Sequence, residues 1–318
     1  MEDFGIIIAC CDQDYLFAKG CSASIRYFLG DVPICLLIDG SFSVAPLEKS
    51  YGVLVINHNT VSNKLLRQRS FGWGKTKMIA FWESPWSNFM VLDADTIVWG
   101  NVLKFANFND FDLVIDQPTS NYSNADITEF FFDISGVEKH FSSFQWEAYR
   151  DRYFCTGTFF AKRGIFSLDE YIEILDFIVR YPGIFKYGEM GFLNFMIFRG
   201  AQEGRIRVQN VDSQLLVPDF DRDFLRKRFP VQESGLQVED NDATVIHWCG
   251  PKPTLANSKV YSEPMTFCRR KCQQDAWGKT FSEAEMSLKY EDLQRAFYVY
   301  KNKFKKKFYQ LIGKYGIL

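Results

Sequence analysis

The sequence predicts an α/β fold with a mostly parallel central sheet and a C-terminal helical appendage, and three observations lead there. Short apolar runs alternate with segments of helical spacing along the first 260 residues. No internal repeat or low-complexity linker interrupts them, and from about Tyr261 the pattern turns polar and helical. Residues 1–260 are therefore expected as one sheet-based domain and 261–318 as a helical region. A chain of 318 residues, 47% hydrophobic and 24% charged, is long enough to bury a core of that size.

In order, Phe4 to Ala9 is an apolar run that reads as the first strand, and Cys10-Cys-Asp-Gln-Asp-Tyr15 is the loop after it. Helical spacing follows to about Phe28, then a second strand from Pro33 to Ile38 and a third from Val53 to Ile56. Lys75 to Trp82 carries helical spacing, and the strand Phe89 to Leu92 runs straight into Asp93-Ala-Asp95. Asp112 to Ile115 and Tyr153 to Ala161 are expected as strands, Leu168 to Arg180 as an amphipathic helix and Gly191 to Phe198 as a buried one. Thr244 to Ile246 is expected to continue the sheet, and residues 118–126, rich in Ser, Thr and Asn, to form a mobile loop. Ligands of such sheets collect beyond the carboxyl ends of the strands, so Asp12 and Asp93 are placed at one mouth.

Composition narrows the function. A formal net charge of −2 offers no general attraction for nucleic acid. Aromatic residues make up 17%, with 32 Phe, which fits a Phe-heavy core or rings exposed to sugar or lipid. The eight Cys residues are scattered without Cys-x-x-Cys pairs, as free thiols in a reducing compartment would be. Cys268 and Cys272 could share a metal from one helical turn, but no second pair stands nearby to complete the set. The start, Met1-Glu-Asp, carries acids where a signal peptide carries lysines, and no run approaches the roughly 20 apolar residues of a membrane span. The expected location is cytoplasmic, with peripheral attachment to the inner face of the membrane through the tail described below.

Asp93 and Asp95 hold the chemistry of greatest interest. Two carboxylates one residue apart at a strand end can bind a hard cation such as Mn²⁺ or Mg²⁺, though an isolated Asp-x-Asp caps a turn about as often. The surrounding blocks decide between these readings. Thr76-Lys77-Met78, then Asp93-Ala-Asp-Thr-Ile-Val-Trp-Gly-Asn101, resembles the central segment of the family-8 glycosyltransferases, the glycogenin group. Cys10 to Tyr15 is similar to that family's first-strand loop, Phe154-Cys-Thr-Gly-Thr158 to its strand beside the sugar, and Glu189-Met-Gly-Phe-Leu-Asn194 to its Asp-Gln-Gly-Leu-Leu-Asn segment. His247-Trp-Cys-Gly-Pro-Lys-Pro253 resembles its His-x-x-Gly-x-x-Lys-Pro signature.

The resemblance implies a GT-A-type nucleotide-sugar-binding fold and assigns roles by position. Asp93, Asp95 and His247 are implied as metal ligands, and Asp12, Tyr15, Lys77, Asp93, Ala94, Asp95, Gly157, Gly250 and Lys252 as donor-binding residues. Lys77 and Lys252 would meet phosphate or sugar oxygens, Gly250 would let backbone approach the diphosphate, and Asp12 and Tyr15 would hold a uracil base. Glu189 is the implied catalytic carboxylate, either binding donor-sugar hydroxyls or acting as a base on the acceptor. Three departures stand out: the glycine-to-lysine spacing after His247 is one residue short, Met190 replaces the family's Gln, and Cys155-Thr156 replaces Asn-Ser or Asn-Ala. With that Gln gone, retention or inversion stays open.

The tail adds a second expectation. Leu293, Phe297, Tyr300, Phe304, Phe308, Leu311 and Tyr315 recur every three to four residues, while Lys301, Lys303, Lys305, Lys306, Lys307 and Lys314 follow with no acid after Asp292. A basic amphipathic helix over 293–315 suits an anionic membrane surface, the alternative being a helix docked on the domain with a solvated basic face. The expected activity is metal-dependent transfer of a hexose from a nucleotide sugar, UDP-linked, to a saccharide or glycolipid hydroxyl, as in polysaccharide biosynthesis. Two alternatives accompany it: a haloacid-dehalogenase-like phosphatase with Asp93 as nucleophile, and a catalytically weak sugar-nucleotide-binding protein at the membrane surface.

Overall fold

The computed structural model describes residues 3–72 and 74–315, with side chains as far as residue 304. A seven-stranded sheet forms its centre, in the order β3-β2-β1-β4-β7-β6-β8. These strands are β1 (Phe4–Cys11), β2 (Ile34–Asp39), β3 (Leu54–Ile56), β4 (Asn88–Asp93), β6 (Leu113–Asp116), β7 (Thr158–Lys162) and β8 (Val208–Val211). Only β7 runs against its neighbours β4 and β6, so the expected mostly parallel α/β sheet is present. Alternate residues feed opposite faces: Ile6 and Ile8 of β1 join one core cluster and Ile7 the other. Both faces are covered, which is why the strands read as unbroken apolar runs.

A smaller sheet stands beside the large one, formed by β5 (Thr96–Gly100), β9 (Gln214–Leu216) and β12 (Ala243–His247) in the order β5-β12-β9. This corrects the sequence reading, which placed Thr244 to Ile246 in the main sheet and assigned no strand to Thr96–Gly100. A two-residue pair, β10 (Val231–Gln232) and β11 (Gly235–Leu236), completes the strands of the described residues.

Helices fill the faces: α1 (Tyr15–Leu29), α2 (Ala45–Tyr51), α3 (Lys64–Arg69), α4 (Ala80–Glu83), α5 (Asn124–Phe130), α6 (Ile134–His140), α7 (Leu168–Arg180), α8 (Glu189–Gln202) and α9 (Arg222–Arg228). The predicted bounds of α7 are met, because Ser167 caps its N-terminus, Asp169 and Glu170 lie in its first turn and Arg180 in its last. Residues 118–126 are not all loop: Ser123 and Asp126 form a capping box that starts α5. The expected strand from Tyr153 starts only at Thr158, and the preceding loop is held by side chains instead.

The C-terminal region is α10 (Glu263–Trp277) followed by α11 (Phe281–Tyr315). Met265, Cys268 and Cys272 of α10 are fully buried in the same core as α1, so this helix belongs to the main packing unit. Along α11, Ala284 and Leu288 are buried while Leu293, Phe297, Tyr300 and Phe304 are exposed. The tail side chains from Lys305 to Tyr315 lie outside the described residues. Among the described residues no helix is long and apolar enough to cross a membrane.

Candidate functional site

β4 ends at Asp93, and the chain reverses through Ala94 and Asp95 into β5, so two carboxylates leave one tight turn. Thr96 closes it by donating from Oγ1 to the Asp93 carbonyl at 2.8 Å. Antiparallel pairing of β5 with β12 sets His247 opposite Thr96, and the Trp248 N–H donates to the Asp95 carbonyl at 3.1 Å. Strand register thus delivers the imidazole to the carboxylates. Its Nε2 lies 3.6 Å from Asp95 Oδ1 and 4.0 Å from Asp93 Oδ2, and one ligand atom of each residue falls within 4.8 Å of the others.

The other ring nitrogen decides how His247 presents itself. Nδ1 lies 2.9 Å from Gln214 Oε1, while the Gln214 Nε2 donates to the Cys155 carbonyl at 3.0 Å. That second bond fixes which end of the amide is oxygen, so Nδ1 carries the proton and Nε2 faces the carboxylates. Gly157, opposite Asp93 through the Asp93 N–H bond to its carbonyl at 2.8 Å, makes room for this ring. A Cβ there would sit 2.2 Å from His247 Cε1. Its position is set by packing under the imidazole.

Buried charge surrounds the pair. Lys77, 3% exposed, lies 2.6 Å from Asp93 Oδ1, 2.8 Å from Glu189 Oε1 and 3.0 Å from the Thr156 carbonyl, so its three donors are engaged by protein groups. Burial opposes its charge, but Asp93 and Glu189 outweigh burial and raise its pKa. Lys252, on the loop after β12, pairs with Asp95. Burial would raise the Asp95 carboxyl, yet Lys252 and His247 hold it well below the usual carboxylate range. Asp93 is pushed up by burial, which the Lys77 charge only partly offsets. Burial disfavours the His247 imidazolium, while the Cys155 sulfur and Asp95 favour it and push the pKa up to about 10.

Two carboxylates and an imidazole are a donor set for Mn²⁺ or Mg²⁺, and the Lys252 ammonium paired with Asp95 stands in for a positive charge at the same place. The residues fit the cation that the resemblance implies. Glu189, the first residue of α8, is 6% exposed; its Oε1 takes the Lys77 ammonium and the Thr156 hydroxyl at 2.9 Å, and Oε2 lies where a Cβ on Gly74 would be, 1.7 Å away.

The remaining candidates sit around this centre. Ala94 is 4% exposed with its methyl in the core, so only its backbone can face a ligand. Gly250 has φ of 103° with open space around it, a backbone conformation that itself calls for glycine. Asp12 is exposed on the turn after β1. The Tyr15 ring packs on Phe42, with centroids 5.2 Å apart, at the edge of a cavity of about 850 Å³ lined by Asp39, Phe42 and His58.

Sequence reasoning missed three residues that shape the site. Gln214 orients His247. Asn194 clamps the Phe154 backbone, accepting from its N–H at 3.1 Å and donating to its carbonyl at 3.0 Å, which holds Cys155 and Thr156 in place. Asp116, 6% exposed, accepts the Ser213 and Gln214 N–H groups at 3.1 and 2.8 Å and so sets the start of β9. Asn194 was legible in the Glu189–Asn194 block; Gln214 and Asp116 lie outside every block.

No protein-family model matches the chain, and no curated protein matches it in sequence. Its fold is similar to that of galactosyltransferase LgtC, solved with donor and acceptor sugar analogues, with a TM-score of 0.53 and 15% identity over 84% of this chain and 95% of that one. The bifunctional glycosyltransferase WbbM is similar with a TM-score of 0.51 and 10% identity, over 90% of this chain and 52% of WbbM. The glycosyltransferase GlyE of Streptococcus pneumoniae is similar with a TM-score of 0.51 and 12% identity, over 88% of this chain and 62% of GlyE. The chain therefore has the fold of the GT-A glycosyltransferases. LgtC is a family-8 enzyme, so within that fold class the likeness agrees with the family-8 resemblance of the sequence blocks.

Proposed function

We propose that the chain is a metal-dependent glycosyltransferase that moves a hexose from a nucleotide sugar, UDP-linked, to a saccharide or glycolipid hydroxyl. The observation that carries this reading is the meeting of Asp93, Asp95 and His247 at the end of β4, with Lys252 against Asp95. A bound Mn²⁺ or Mg²⁺ would supply positive charge to the departing diphosphate. Lys252, on an exposed loop, is placed to move from Asp95 to a phosphate oxygen when a cation takes its place. Lys77 stays with the carboxylates as their counter-charge.

Glu189 Oε1 is held by the Lys77 ammonium and the Thr156 hydroxyl, a pairing that favours orientation of donor-sugar hydroxyls over proton abstraction. The nucleoside end is assigned to Asp12, Tyr15 and the cavity beyond β2 and β3. The acceptor is assigned to a second cavity of about 420 Å³ lined by Asp116, Tyr122, Cys155 and Gln214. Tyr122 and the polar groups there suit a saccharide, whose rings pack on aromatics and whose hydroxyls need partners. The exposed apolar residues of α11 and Lys301 and Lys303 support attachment to an anionic membrane, where a glycolipid acceptor resides.

The test incubates the protein with UDP-hexoses, Mn²⁺ and a panel of saccharide acceptors, following UDP release and product mass. Cation-dependent UDP release with a hexose added to the acceptor is expected. Tight UDP-sugar binding without release would favour the binding-protein reading, and a phospho-aspartate trapped at Asp93 the phosphatase.

A further inference from the structure

Behind the His247 ring, on the side away from the two aspartates, lie two thiols to which the transfer reaction gives no ligand role. Cys155 precedes β7 and Cys249 follows β12, and their sulfurs and a ring nitrogen of His247 lie within 4.8 Å of one another. The Cys155 sulfur is 3.7 Å from Nδ1, the nitrogen that faces Gln214 rather than the carboxylates. His247 is buried, whereas both cysteines are free and partly exposed as residues. The elements that bring them together are rigid: the Asn194 clamp holds the Cys155 loop, and strand pairing holds His247.

Two sulfurs and an imidazole nitrogen are soft to borderline donors, unlike the oxygen pair on the other face of the same ring. We propose that Cys155, Cys249 and His247 form a second metal site, selective for a thiophilic divalent cation such as Zn²⁺. The Gln214 amide oxygen, 2.9 Å from Nδ1, would have to swing off that nitrogen to admit the cation, and could then serve as its fourth, oxygen donor. On binding, both thiols release their protons to solvent as metal–sulfur bonds form, and the imidazole proton passes through solvent from Nδ1 to Nε2 as the metal–nitrogen bond forms. A neutral imidazole has one lone pair. With Nδ1 on the soft cation, Nε2 carries the proton and points an N–H at Asp93 and Asp95, so the hard cation loses its nitrogen ligand. Soft-metal occupancy would thereby shut off the hard site. This antagonism rests on the proposed Mn²⁺ site; the thiolate site itself does not.

Co²⁺ is the probe, titrated into the full chain reduced with a phosphine and followed by visible and near-ultraviolet absorption. One Co²⁺ per chain is expected to give thiolate-to-metal charge transfer and tetrahedral d–d bands that Zn²⁺ bleaches. The charge transfer should weaken sharply in Cys155→Ser and in Cys249→Ser and persist in Asp93→Asn, with circular dichroism confirming that each variant is folded. Absence of the charge-transfer band, or its full survival in both cysteine variants, would overturn the proposal. A second arm measures Mn²⁺ affinity by electron paramagnetic resonance. One equivalent of Zn²⁺ should weaken Mn²⁺ binding at least about tenfold in the wild type but not in Cys155→Ser. Unchanged Mn²⁺ affinity with an intact thiolate band overturns the antagonism alone, and a thiolate band without any Mn²⁺ binding counts against the transferase reading alone.

Discussion

The Gln214 amide oxygen lies 2.9 Å from His247 Nδ1, and this contact turns Nε2 toward Asp93 and Asp95. Replacing Gln214 with Ala removes the tautomer lock while leaving the three ligands in place. Mn²⁺ affinity is expected to fall about 10- to 100-fold, the usual effect of losing a partner behind a ligand. Gln214→Glu keeps an acceptor for the Nδ1 proton and should restore most of that affinity. Electron paramagnetic resonance of free Mn²⁺ reads both; equal losses in the two variants would mean that Gln214 acts only through packing.

Lys77 balances two buried carboxylates, so Lys77→Met leaves Asp93 and Glu189 without their counter-charge. A loss of about 3–5 kcal/mol of unfolding free energy is expected near neutral pH. Without Lys77, nothing offsets the burial that already raises the Asp93 carboxyl, so the penalty is present above that raised pKa and shrinks as falling pH protonates the group. Urea unfolding at pH 7 and pH 4 tests this. The same destabilisation at both pH values would contradict the electrostatic role.

Asp116 provides a pH signature away from the cation cluster. Burial pushes its carboxyl up to about 7 despite the N–H bonds from Ser213 and Gln214. In the unfolded chain an Asp titrates near about 3.9, so between roughly pH 4 and 7 the folded state holds the proton that the unfolded state has lost. Stability therefore falls as pH rises through that window and levels off above it. Asp116→Asn keeps an oxygen for the two N–H groups and removes this dependence. Its stability relative to wild type should climb by about 4 kcal/mol from pH 4 to pH 8; a constant difference would place the buried carboxylate's cost elsewhere.

Leu293, Phe297, Tyr300 and Phe304 present an apolar stripe on α11 in which each is at least 63% exposed. If that stripe lies on a membrane, Phe297→Glu with Phe304→Glu should weaken binding to phosphatidylserine vesicles by at least about tenfold, since burial of each ring contributes about 1.5–3 kcal/mol. Wild-type binding should also fall with added salt. Vesicle co-sedimentation that is indifferent to both changes would leave the helix with a role in solution.

Much of this organisation was legible. Buried strands such as β1 and β4 show as apolar runs, α7 shows as a 3.6-residue period with caps, and the ordered blocks around Asp93, Glu189 and His247 point to one site. The small sheet was not legible, because an apolar strand such as Thr244–Ile246 carries no mark of its partner; Thr96–Gly100 pairs with it through contacts distant in sequence. The loop before β7 misled for a related reason. Tyr153 and Phe154 have strand composition, yet Asn194 takes the hydrogen bonds that a neighbouring strand would have supplied. Gln214 was invisible since its role depends on a ring nitrogen delivered by another strand.

The central claim is that Asp93, Asp95 and His247 hold a cation through which a nucleoside diphosphate binds. Calorimetric titration of UDP into wild type and a folded Asp95→Asn variant, each with Mn²⁺ and then with a chelator, tests it most directly. The account predicts UDP binding by wild type with Mn²⁺ that the chelator weakens at least about tenfold, and by Asp95→Asn no gain from Mn²⁺. UDP affinity that is the same in all four titrations would contradict it.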